Sequence, residues 1–122
     1  MLSALLLAGC VSGPRYDEQV LKSYRVGMTE QEVREVLKGT RLLDSVSRPS
    51  GGWAAASKDE LREARAAAAF ESANSGAVVE RCDVYWIPRH TSVPMAIGGV
   101  WFDYLYFGSD GKLLGFNRQF VD

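Results

Sequence analysis

Cys82, Asp83 and His90 are the residues whose types could support nucleophilic catalysis: a thiol to attack, a carboxylate to orient and an imidazole to take the proton. His90 is the chain's one histidine. Neighbouring residues in a strand point to opposite faces, so if this segment is extended Cys82 and Asp83 do not share a site. The residue types then read as a small apolar thiol in the packing and a solvated loop histidine, with no catalytic set. A single histidine and one thiol besides Cys10 give no metal-ligand spacing, so no metal and no dissociable cofactor is expected. A hydrolase built on Cys82 is the least favoured of the functional readings.

The other cysteine sits in a different context. Met1 to Gly9 contains no charged residue, whereas every charge lies from Arg15 onward. Leu2, Leu5, Leu6 and Leu7 with Ala4 and Ala8 form a short apolar stretch, and Leu7-Ala8-Gly9-Cys10 follows. This resembles a bacterial lipobox, the end of a cleaved leader. Sulfur is the nucleophile suited to a thioether with a diacylglyceryl group, and small residues before it admit the chain to a peptidase. The resemblance implies residues 1–9 as signal peptide, Cys10 as a lipidated first residue bearing three acyl chains, 10–15 as tether and 16–122 as one domain. At about 0.8 kcal/mol per buried CH2, several chains hold a protein at a bilayer stably. Val11 in place of an aspartate after the cysteine implies delivery to the outer membrane, on its periplasmic face.

Composition narrows the rest. Fourteen basic residues against fifteen acidic give a net charge of -1, which argues against the clustered cations that phosphate backbones require. No apolar run after the leader reaches the roughly 18 residues a membrane helix needs. Two cysteines make no disulfide framework.

The elements follow from local signals. Asp17 offers an N-cap for a short helix through about Tyr24, with Val20, Leu21 and Tyr24 on one side. Thr29 and Glu32 form a capping box, Met28 and Val33 a hydrophobic staple, and Gly39 a stop, so the spacing predicts a helix over 30–38. Leu42 to Val46 reads as a short extended segment and 48–52 as a loop. Ser57 and Glu60 suggest a second capping box ahead of an alanine-rich helix that ends near Asn74-Ser75-Gly76. Its methyl-lined face reads as peripheral or inserted. Nine of the thirteen aromatic residues fall between Tyr85 and Phe120, and strands are expected over 78–87, 100–107 and 112–121, the last two joined by an Asp110-Gly111 turn. Alternation places Trp101, Asp103, Leu105 and Phe107 on one face and Phe102, Tyr104 and Tyr106 on the other. Leu114, Phe116 and Phe120 are expected to share a face opposite Asn117 and Gln119. The expected fold is α+β: two N-terminal helices packed on one side of a three-stranded antiparallel meander, with the alanine-rich helix inserted between them.

Tyr24-Arg25-Val26-Gly27-Met28-Thr29 with Glu32-Val33 and Leu37, followed by an aromatic meander and Asp110-Gly111-Lys112, resembles the SmpA/OmlA (BamE) family of small outer-membrane lipoproteins. The same helix opening occurs in other envelope lipoproteins with a β-lactamase-inhibitor-like αα-βββ fold. The resemblance implies a non-enzymatic lipid-anchored protein that binds a component of outer-membrane β-barrel assembly or serves envelope integrity. The alternative is a periplasmic inhibitor or ligand-binding module on the same fold.

Two segments are candidates for a partner surface. Val93, Met95 and Ile97 lie in an apolar stretch broken by Pro94, Gly98 and Gly99, which suits contact with protein or lipid if exposed and a folded-back turn if not. Arg89 and His90 beside it could flank an anionic head group, or belong to a solvated turn. Trp86 and Trp101 on neighbouring strands, with Tyr85, Tyr104 and Tyr106, could form an aromatic recognition surface or core. The face bearing Tyr104 and Tyr106 is expected to be covered by another chain or by the long helix.

Overall fold

The structure is a computed structural model and describes residues 16–88 and 100–121. Residues 1–15, with the expected leader, Cys10 and the expected tether, and the stretch containing Arg89, His90, Val93, Met95 and Ile97 lie outside the described residues. Three helices and four strands follow in order: α1 Tyr16–Ser23, α2 Glu30–Val36, β1 Arg41–Ser47, α3 Leu61–Ala73, β2 Arg81–Pro88, β3 Val100–Phe107 and β4 Leu113–Val121. The class is α+β. The strands form one antiparallel sheet in the order β1-β2-β3-β4.

Two expectations are corrected here. The meander has four strands, because Arg41 to Ser47 extends beside β2, with Val46 opposite Cys82 and Ser45 opposite Asp83. The helices are not all on one side. α1 and α2 cover one face through Val20, Tyr24, Met28, Val33 and Leu37, which pack on Tyr85, Ile87, Leu105, Phe107 and Leu113. α3 covers the other face, where Ala64 and Ala67 meet Cys82, Val84, Tyr104 and Tyr106. An alanine face is therefore not peripheral: methyl groups let the helix axis approach the sheet closely, and the rings beneath supply the buried area.

The Gly-Met-Thr segment has a physical reading. Gly27 adopts φ 93°, a left-handed value that disfavours side chains, and its N–H donates to the Leu113 carbonyl at 2.8 Å. Leu113 N–H returns a bond to Met28 O at 2.8 Å, so the chain before α2 is clipped to the start of β4. Thr29 then caps α2, its Oγ1 accepting from Glu32 N–H while the Glu32 carboxylate accepts from Thr29 N–H. Met28 and Val33 are buried together as the staple requires. α2 ends at Val36, two residues earlier than the spacing predicts, with Leu37 as its C-cap.

The α1 face is also held by charge. Asp103 is 1% exposed and takes the Arg118 guanidinium through both oxygens, at 2.6 and 2.8 Å, and the Tyr24 hydroxyl at 2.5 Å. Arg118 also donates to the Asp17 carbonyl at 2.8 Å, and the Trp101 indole donates to the Asp17 carboxylate at 2.7 Å. Helix, β3 and β4 are thus joined by one buried network, whose saturation offsets the cost of taking these charges from water. A second cluster joins α2 to the sheet: Arg81 bonds Asp83 at 2.9 and 3.2 Å and Glu30 at 3.0 Å.

Finer expectations shift for local reasons. β2 begins at Arg81 rather than Val78, since Val79 turns inward to accept the Trp53 indole on its carbonyl at 2.9 Å and its N–H binds Glu71. The Ser57 hydroxyl donates to the Glu60 carboxylate at 3.3 Å and caps no backbone N–H, while the Glu60 N–H bonds the Ser57 carbonyl at 3.1 Å in a 3-10 turn over 58–60, so no second capping box forms. A bulge opposite Tyr106 and Phe107 sets Leu114 against the α3 cluster, separating it from Phe116 and Phe120. Phe116 instead meets Tyr24, and Phe120 meets Trp101, on the α1 face.

Candidate functional site

Between α3 and the β4 side of the sheet lies a groove of about 820 Å³. That volume falls in the range of small-molecule sites. Its helix wall is a stripe at helical spacing, with Arg62, Arg65 and Ala66, Ala69 and Phe70, and Ala73 recurring turn by turn. Its floor is Tyr104 and Tyr106 from β3, and its outer wall carries Asn117 and Gln119 from β4. Lys58, in the 3-10 turn before α3, completes one end.

Packing explains why the groove exists. Ala64 and Ala67 hold α3 close to the sheet along one line, while Phe70 stacks on Tyr106 with ring centroids 4.6 Å apart. Phe70 needs Gly115 beneath it: a Cβ there would lie 2.4 Å from the Phe70 ring. On the β4 side of that line α3 presents methyl groups too short to fill the space. The groove is what remains.

The groove has two unlike ends. The Arg62 guanidinium sits 5.1 Å over the Phe102 ring, and Phe102 is opposite Gln119. Phe70 marks the other end over Tyr106, which is opposite Gly115. Cations therefore gather at one end and alanine and phenylalanine at the other. Arg62 is paired with the buried Glu63 at 3.1 Å, whereas Lys58 and Arg65 have no ion-pair partner among the described residues.

Tyr104 is the unusual member. It is 1% exposed, and its hydroxyl has no hydrogen-bond partner among the described residues. An unmade buried hydrogen bond costs about 1–3 kcal/mol. Burial raises its pKa above the usual phenol range, with Glu63 and Cys82 adding and Arg62 opposing. It remains a neutral donor. The Tyr106 phenol is raised in the same way, chiefly by burial, with an Asn117 hydrogen bond opposing.

The residues singled out from sequence are dispersed. Cys82 is fully buried under α3, and burial first, then Asp83, Glu63 and Asp44, push its thiol up and away from the reactive thiolate. Asp83 points to the opposite face, where Ser45 and Arg81 bond it. Tyr104 and Tyr106, each 1% exposed, are covered by α3 and do not form an open partner surface; they lie beneath the groove. The aromatic patch likewise dissolves, since Tyr85 and Trp101 belong to the α1 face and alternation puts Trp86, 37% exposed, on the α3 face. The sequence reading missed the groove. Its signal was Lys58, Arg62 and Arg65 at helical spacing beside Ala66, Ala69 and Ala73, a cationic stripe bordering a methyl stripe.

No protein-family model, curated protein or solved structure matches this chain. Its functional reading rests on its own residues.

Proposed function

We propose that this is a non-enzymatic lipid-anchored protein of the bacterial outer membrane, held at the periplasmic face through Cys10, that works by binding. The observation that carries binding is the groove itself, a concavity of about 820 Å³ with cations at one end and methyl and phenyl groups at the other. The lipobox-like Leu7-Ala8-Gly9-Cys10 supports the anchor, and the Gly27-Met28-Thr29 resemblance supports a role beside outer-membrane β-barrel assembly or in envelope integrity. The segment around Val93, Met95 and Ile97 is the proposed partner contact. A second reading, a ligand-binding or inhibitor module on the same scaffold, is favoured by the concavity of the groove.

Metabolic labelling with a palmitate analogue tests the anchor: label on the wild type and none on Cys10→Ala is expected, and an unlabelled wild type overturns the reading. A photoreactive residue at Met95 tests the partner. Crosslinking to an assembly component supports the first reading, and crosslinking to a soluble hydrolase supports inhibition instead.

A further inference from the structure

We infer that the groove between α3 and β4 binds a single-chain anionic amphiphile, free in solution, with its head at the Arg65 and Lys58 end and its chain along the alanine stripe toward Phe70. The inference rests on the ligand-binding reading and names its ligand class.

Three features carry it. Arg65 and Lys58 at one end have no ion-pair partner among the described residues, so an anion there gains charge-assisted bonds without displacing a carboxylate of those residues. Arg62 is already committed to Glu63 and Phe102, and it helps hold the field positive. The floor under the helix wall is the aromatic pair Tyr104 and Tyr106, an apolar bed for a chain. The rest of the helix wall is methyl and phenyl: Arg62 to Ala73 spans about 16 Å at 1.5 Å per residue, room for one extended chain. The apolar surface lines a concavity instead of projecting from the fold. That shape suits a chain taken out of water, whereas a bilayer would have to be met by a protruding surface.

The test uses the full chain carrying Cys10→Ala, so that no acyl group of its own competes, titrated calorimetrically with dodecanoate and with dodecyltrimethylammonium below their micelle concentrations. Dodecanoate should bind one to one and at least about tenfold tighter than the cation, because the head group meets Arg65 and Lys58. The double substitution Lys58→Ala, Arg65→Ala should abolish that preference. Ala69→Trp, on the exposed flank of α3, should fill the groove and remove binding without moving the thermal midpoint. Equal affinity for the two probes, or dodecanoate binding unchanged in Ala69→Trp, overturns the inference. So does association with phosphatidylglycerol vesicles in the absence of dodecanoate binding, which would assign the cations to a membrane surface. Labelling at Cys10 and crosslinking at Met95 are unaffected by these outcomes, so the ligand can fail while the anchored binding protein stands.

Discussion

The two faces of the sheet are covered by helices of opposite character. On the α1 and α2 face, long side chains interdigitate and buried charges are saturated: Asp103 has Arg118 and Tyr24, and Asp83 has Arg81 and Ser45. On the α3 face, alanines bring the helix near, tyrosines and Trp53 provide the bulk, and the Tyr104 hydroxyl is left without a partner among the described residues. Large side chains close a face by filling it, whereas small ones close only the line of nearest approach. The difference teaches where a binding function can live on a small domain: beside the methyl-lined contact, where packing leaves room.

That contrast can be broken from either side. Asp103→Ala should cost about 3–5 kcal/mol in denaturant unfolding, since it strands a buried guanidinium on the closed face. A loss below about 1 kcal/mol would mean that water already reaches the network. Gly115→Ala should cost about 1–3 kcal/mol, because its methyl must displace Phe70 from Tyr106; an altered groove should accompany it, seen as changed dodecanoate affinity. The Tyr24 phenol supplies a pH test. Burial first, then Asp103, raises its pKa far above the ordinary 10.0, so the folded state holds a proton that the unfolded state releases. Its contribution is intact below pH 10 and declines above it, by up to about 1.4 kcal/mol per pH unit for one proton. Urea midpoints taken at about pH 9 and about pH 11 should therefore fall further in the wild type than in Tyr24→Phe; parallel declines would refute the linkage. The smallest effect is expected at Thr29→Ala, about 1 kcal/mol from the lost cap. Hydrogen exchange should show it in α2 and leave α3 unchanged.

Legibility in the sequence tracked the range of the interaction. The cap, staple and glycine around α2 involve residues within a few positions of one another, and they form as the spacing predicts. Strand alternation put Cys82 and Asp83 on opposite faces and set the tyrosine face apart, to be covered by the long helix as one of two expected covers. The β1 pairing was less visible: Leu42 to Val46 carries Asp44 and Ser45 within it, and only its alignment with β2 makes it a strand. The alanine helix misled for a reason of scale. Area per residue is low for alanine, but a short contact distance lets neighbouring rings bury their own area against it.

The sequence by itself determined the helix boundaries near Thr29, the hairpin turn at Asp110-Gly111, the two-faced aromatic strands and the lipobox-like cysteine, because each is written in local spacing. Tertiary structure decided which of the two expected covers lies on the tyrosine face, and so that helices lie on both sides of the sheet. It also decided that Asp103, Arg118, Asp17 and Tyr24 form one network, and that the Tyr104 hydroxyl is buried with no hydrogen-bond partner among the described residues. Those outcomes depend on register across strands and on how closely a helix can approach a sheet. They bring together residues as far apart as Asp17 and Arg118, and no window of the sequence contains both.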